Sequence, residues 1–280
     1  TGTQNTLIGG GAGDALTTAG GTTAIGRSAM GTGVVTGDHN TAVGYLSGAG
    51  LTSGVSNTLV GVIAGDALTD ADFNVAVGRG SLTTDVLGSN STAVGYQALL
   101  TQNFTTATDT YNVAVGADAG KAVTTGIQNT LIGGLAGDAL TDADYNVAVG
   151  KESLTAMTLG SRNVGVGTFT LMSANVTTAT DTYNTAVGHH AGANVTTGIQ
   201  NTLVGGLAGD ALTVGGTNVA VGVSALGADT LGSASVAIGS SALRLQNFTT
   251  ATDVYNVAIG RSAGENVTTG ESNNLIGRLA

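Results

Sequence analysis

Cysteine, proline and tryptophan are absent from this 280-residue chain, and each absence narrows the reading. Without cysteine there is no disulfide framework, and no thiolate to act as nucleophile or metal ligand. Without proline no backbone N–H is missing, which suits a long hydrogen-bonded ladder. Aromatic residues are only 4%, so the interior must be narrow and filled by Ala, Val, Leu and Ile. Charged residues are 9%, far below the usual quarter. Thr, Ser and Asn carry the solubility instead. Lys and Arg number 8 against 18 Asp and Glu, a net charge of −10 with no basic cluster. That balance argues against nucleic acid and against anionic membranes as partners. No apolar run reaches the ~20 residues of a membrane-spanning helix.

What is present is a five-residue phrase, repeated sixteen times: a small polar residue, Thr or Val, a small residue or Leu, Val or Ile, then Gly. Asn40-Thr41-Ala42-Val43-Gly44 is one copy. The closing glycines run from Gly9 to Gly277 at spacings of 17, with one of 18 and three of 21. The chain has 47 glycines and little charge, a composition that also occurs in disordered segments. A β-branched residue at a fixed place in every repeat excludes that reading. A short period held along the whole chain predicts a solenoid. Gly44, Gly116, Gly188 and Gly260 lie 72 residues apart, so four coil types alternate within a 72-residue super-repeat. The fourth type carries four extra residues in a Thr-rich loop, Asn103–Tyr111, with near copies at Asn175–Tyr183 and Asn247–Tyr255. The expected architecture is all-β: a parallel β-solenoid of about 16 coils over residues 1–280, a single repeat domain read as a fragment of a longer fibrous chain.

The columns of the repeat carry the next expectations. The fourth position is Val or Ile in all sixteen copies, and the second is Thr or Val in fifteen, Asn274 being the exception. The third is Ala in ten copies, Gly165 in one, and Leu in Leu7, Leu59, Leu131, Leu203 and Leu275. On a strand the second and fourth side chains share one face and the third takes the other. Neither face is strongly polar, which predicts strands covered on both sides, with the Thr/Val column pointing inward. A second short strand is expected after each phrase, as at Gln97-Ala98-Leu99, Ser153-Leu154 and Ser241-Ala242-Leu243. Coils stacked ~4.8 Å apart would build a rod of roughly 75 Å. Asn opens thirteen phrases, which predicts a side-chain hydrogen-bond ladder, and the closing Gly predicts positive φ or close backbone approach. A thin Ala/Val core with a doubly apolar strand calls for a second covering surface, which three chains packed together would supply.

Two of these phrases, Ser235-Val236-Ala237-Ile238-Gly239 and Asn256-Val257-Ala258-Ile259-Gly260, resemble the head repeats of trimeric autotransporter adhesins, the YadA-like family. The resemblance covers essentially the whole chain as repeats. It implies a left-handed β-roll, a homotrimer wound about one axis, and attachment at a surface. Similar repeats look like parts of phage tail fibres. The 17-residue coils are longer than is usual in the family, and the sequence shows no neck, heptad stalk or membrane anchor.

Candidate chemistry is sparse. Three scattered His, no Cys and carboxylates placed in turns offer no catalytic constellation, so a non-enzyme is expected. Glycine-rich phrases such as Gly9-Gly10-Gly11-Ala12-Gly13 lack the Lys-Ser/Thr of a phosphate loop. His189-His190 has no counterpart in sister coils and reads as surface decoration rather than a metal pair. The acidic stretches Gly65–Asp72 and Gly137–Asp144 admit a calcium reading beside the plainer one of turn-forming Asp. The Thr-rich loops are the best candidates for recognition. Their members are Asn103, Phe104, Tyr111, Asn175, Tyr183, Asn247, Phe248 and Tyr255, to which Asn194 and Asn266 add Asn-x-Thr sequons. They are read as glycan sites or ligand contacts. The function expected is a structural and adhesive fibre segment at the outer cell surface or in extracellular fibres, meeting a glycan, matrix or host receptor. The alternatives are the shaft of a phage tail fibre on a virion and, as a third class, an ice-binding solenoid.

Overall fold

The computed structural model describes residues 2–280, and these form strands and turns with no helix. The chain divides into two compact units, one ending at Asp142 and the other spanning Ala143–Ala280. Each unit is a parallel β-solenoid of eight coils, sixteen in all, one for each phrase. In the first unit the three-residue strands pair in parallel from Thr6–Ile8 on Thr23–Ile25 to Val113–Val115 on Thr130–Ile132. In the second they run from Val147–Val149 on Val164–Val166 to Val257–Ile259 on Asn274–Ile276. The register sets each phrase position on the same position of the next coil, as in Thr185↔Thr202, Ala186↔Leu203 and Val187↔Val204.

The strand faces correct the expectation of burial on both sides. The third residue of the phrase is fully buried in nearly every coil: Ala42, Leu59, Ala76, Ala186, Leu203 and Ala237 are all at 0% exposure. The second and fourth residues are half-buried or exposed, so the β-branched face, Thr/Val column included, points outward. The core is therefore an Ala/Leu core. Its filling explains the 72-residue order. In second-type coils the strand supplies the large side chain and the turns opposite are glycine. A Cβ at Gly48 would stand 2.8 Å from Leu59 Cδ1, and one at Gly65 2.7 Å from Leu59 Cδ2. Leu203 relates in the same way to Gly192 and Gly209. In third- and fourth-type coils the strand shrinks to Ala, or to Gly165 in one, and the turn supplies leucines such as Leu82, Leu99, Leu226 and Leu243, all fully buried. Large and small side chains thus trade places across a core of fixed width.

The second strand expected at Gln97–Leu99, Ser153–Leu154 and Ser241–Leu243 is also corrected: these residues form turns. Their backbone is left-handed at two places per turn, as at Gln97 (φ 54) and Leu99 (φ 49). Left-handed backbone costs an L-residue roughly 1–2 kcal/mol. Burying a leucine returns about 1.5–3 kcal/mol, so a leucine at this place is tolerated. The turns still hydrogen-bond from coil to coil, as in Leu99 N to Ala119 O at 3.1 Å and Leu226 N to Ala242 O at 2.9 Å. Among the described residues short second strands occur beside the 21-residue coils, where Gly88–Ser89 pairs with Thr108–Asp109, Gly160–Ser161 with Thr180–Asp181, and Gly232–Ser233 with Thr252–Asp253.

The ladder read from Asn is present. Asn57 donates from its backbone N and from Nδ2 to Asn40 Oδ1, at 2.9 and 3.1 Å, and also from Nδ2 to Ala71 O at 2.7 Å. Asn201 repeats this on Asn184 and Gly215. These amides are buried, so each satisfied donor and acceptor spares a desolvation cost of about 1–3 kcal/mol. The closing glycine is required on both grounds: Gly188 has φ +132, and a Cβ there would lie 2.6 Å from Gly205 O.

Candidate functional site

The Thr-rich loops are pinned at their bases and exposed at their tips. In the first unit Asp85 is fully buried and accepts from Gly88 N, Phe104 N and Gln102 Nε2, at 3.1, 3.0 and 2.6 Å. Gln102 also donates to Ser91 Oγ and accepts from Asn112 Nδ2. Asp229, Gln246, Ser235 and Asn256 repeat the network in the second unit. In the copy between them Met157 stands at the Asp position, Ala174 at the Gln position and Asn163 at the Ser position. There Thr182 Oγ1 and Asn184 N both donate to Asn163 Oδ1. A polar plug has been exchanged as a block for a largely apolar one, and the loop keeps its place.

This geometry sorts the residues singled out in the sequence. Phe104 and Phe248 are buried, at 7% and 5% exposure, so they anchor the loop and are withdrawn as surface contacts. Asn103, Asn175, Asn194, Asn247 and Asn266 are all exposed. Asn175 and Asn247 accept from Thr158 and Thr230 of the preceding coil, and Asn194 Nδ2 donates to Asp210 O. Tyr111, Tyr183 and Tyr255 are exposed by half or more. They stand immediately ahead of the phrase-opening Asn, where every coil has a left-handed residue.

That corner column holds ring and cation contacts that the sequence reading passed over. Phe73 and Tyr145 occupy it two coils before Tyr111 and Tyr183, and Asn90 and Arg162 occupy it one coil before them. In the second unit Arg162 Cζ lies 4.7 Å from the Tyr145 ring centroid and 5.9 Å from that of Tyr183. Its Nε is 2.9 Å from Asp181 Oδ2, an oxygen that also accepts from Tyr183 OH at 3.2 Å. In the first unit Asn90 Nδ2 donates to Asp109 Oδ1 at 2.9 Å. The signal was available by writing the residue ahead of each Asn as one column.

The remaining candidates disperse. His189 and His190 rings are 4.3 Å apart and pack with Phe169, itself 5.5 Å from Lys151 Nζ. Among the described residues no group of three His, Asp or Glu is arranged to hold a metal ion. The carboxylates of the acidic stretches accept hydrogen bonds from neighbouring coils: Asp66 from Thr83, Asp70 from Ser53, Asp72 from Val55 N and Asp142 from Thr125. Burial pushes Asp66 and Asp210 above the ordinary carboxylate value of 3.8, partly opposed by the Thr83 hydroxyl at Asp66 and by backbone hydrogen bonding and His190 at Asp210. No family model, curated protein or solved structure matches the chain.

Proposed function

We propose that this chain is a structural and adhesive fibre segment that works as a homotrimer, its coils packed through their β-branched faces and its loops and corners turned to a surface. The observation that carries the reading is the outward face of the main strands. It is composed of Thr, Val and Ile with Asn274, holds no charge, and leaves Ile132, Val187, Ile238 and Ile259 between 36% and 39% exposed. Three residues by eight strands, at ~3.3 and ~4.8 Å, make a face of roughly 400 Å² in each unit. Each face alone is about half the ~800 Å² per partner of a standard interface. A second copy fits this face because its own face is uncharged and has the same coil spacing. The likeness of the phrases to YadA-like heads points the same way, toward an extracellular or outer-surface location. The shaft of a phage tail fibre is the alternative owner of the same architecture. Ice binding finds less support. The Thr column is outward-facing, yet Val interrupts it at seven places, Val75, Val113, Val147, Val164, Val219, Val236 and Val257, and the neighbouring column is Val/Ile throughout.

Mass measurement in native conditions tests the assembly. The full chain is expected at three times its 27.0 kDa. Ile238→Glu and Ile259→Glu together place charge on the face and are expected to return the protein to one chain with its strand signal in circular dichroism kept. A stable single chain in the unmodified protein would refute the reading.

A further inference from the structure

We infer that Phe73, Asn90, Asp109 and Tyr111 form an open slot for a cationic planar group, the guanidinium of an arginine presented by a basic partner protein. The second unit shows the slot occupied by a side chain of the protein itself. There the Arg162 guanidinium lies between the rings of Tyr145 and Tyr183 and pairs with Asp181. Residues 73, 90, 109 and 111 are the same four positions one super-repeat earlier.

The backbone that aims them is the same in both copies. Phe73, Asn90 and Tyr111 have φ of 57, 63 and 51°, and Tyr145, Arg162 and Tyr183 have 59, 64 and 53°. The carboxylate rides on equivalent two-residue strands, Thr108–Asp109 and Thr180–Asp181. What differs is residue 90. Asparagine reaches Asp109 but is too short to fill the space between the rings, and it has no charge to give the carboxylate. Phe73 and Tyr111 stand 56% and 53% exposed, against 40% and 51% for the pair that holds Arg162. Ring-bearing residues two coils apart are separated by ~9.6 Å. That leaves about half this distance on either side of a flat group, close to what Arg162 adopts. An arginine there gains a cation–π contact on two rings together with an ion pair, and it suits a flat slot better than the rounder, more strongly hydrated lysine ammonium. The net charge of −10 steers a basic partner in the same direction. The two other exposed tyrosines of the first unit, Tyr45 and Tyr96, already carry Arg27 and Arg79 at 5.6 and 5.8 Å. Within the first unit, the Phe73–Tyr111 slot is where the pattern of ring and cation is left incomplete.

This deepens the attachment reading by naming the chemistry of the surface met. It rests on that reading only for the partner being a protein at a surface. The test uses the full chain and Nα-acetyl-arginine amide, followed by NMR of the aromatic ring protons. Saturable shifts at Phe73 and Tyr111 are expected with a dissociation constant on the order of millimolar, while the Tyr145 and Tyr183 rings stay unmoved. The lysine analogue binds more weakly and the neutral citrulline analogue gives no saturable response. Asn90→Arg fills the slot from within, shifts both rings without ligand, and weakens the response by about tenfold or more. Arg162→Asn does the reverse and opens a second responsive pair. Equal response to citrulline, equal response of the Asn90→Arg variant, or shifts spread over the acidic surface would each overturn the slot. The trimer mass is read separately on the same samples, so loss of the assembly and loss of the slot are told apart.

Discussion

At the scale of single residues, backbone conformation decides what each position tolerates. The closing glycines combine positive φ with a neighbouring carbonyl where a Cβ would go. Gly188→Ala is therefore expected to cost about 1–3 kcal/mol for backbone strain alone, and more from the clash with Gly205 O. A lowered denaturation midpoint, compared with a change at an exposed loop position such as Thr178→Ala, checks this. This requirement was legible in the sequence, because a glycine at one phase of sixteen repeats has few other causes. The left-handed Leu99 and Leu226 were not legible, since leucine in such a conformation is rare and the core space that stabilises it is invisible in one coil. Titration belongs at this scale as well. Asp66 and Asp210 hold their protons more tightly folded than unfolded. They favour the folded state below 3.8, and that contribution is lost as pH rises past 3.8 through their raised folded values. Asp210→Asn removes the loss. Its melting temperature is expected to match or exceed that of the unmodified chain at pH 7 and to change less with pH across that window, by thermal melts at a series of pH values.

At the scale of the coil, the strand is three residues long and the rest of the turn is held by side chains and left-handed backbone. The sequence named the strand, the Asn ladder and the extra loop correctly. It put the β-branched pair inward because both faces looked apolar. The deciding fact lies across the coil: Leu59 faces Gly48 and Gly65, and Leu154 faces Gly165. That complementarity shows only when strand and turn positions are compared together. The loop plug has the same logic. Gln102→Ala leaves the buried Asp85 carboxylate one donor short and is expected to cost about 1–3 kcal/mol. The combination Asp85→Met, Ser91→Asn and Gln102→Ala reproduces the plug of the middle copy, and it is expected to recover most of that loss in a denaturant melt. If the triple change is worse than the single one, the block exchange is not the explanation.

At the scale of the whole molecule, the chain consists of eight-coil units whose interiors are filled and whose outward strand faces are not. Each coil contributes little burial alone and gains stability from its neighbours. The face left over is uncharged and regular, and assembly is the simplest way to cover it. The 72-residue order places one loop in every fourth coil, so sequence variation falls at regular places along a constant scaffold. The sequence marked the loops and the tyrosines ahead of Asn, but it could not separate buried Phe104 from exposed Tyr111, seven residues apart in one loop. Subunit number tests the assembly most directly. Native mass or sedimentation of the full chain should give three times 27.0 kDa, reduced to one chain by Ile238→Glu with Ile259→Glu. A folded protein of 27.0 kDa at working concentration, unchanged by those substitutions, would contradict it.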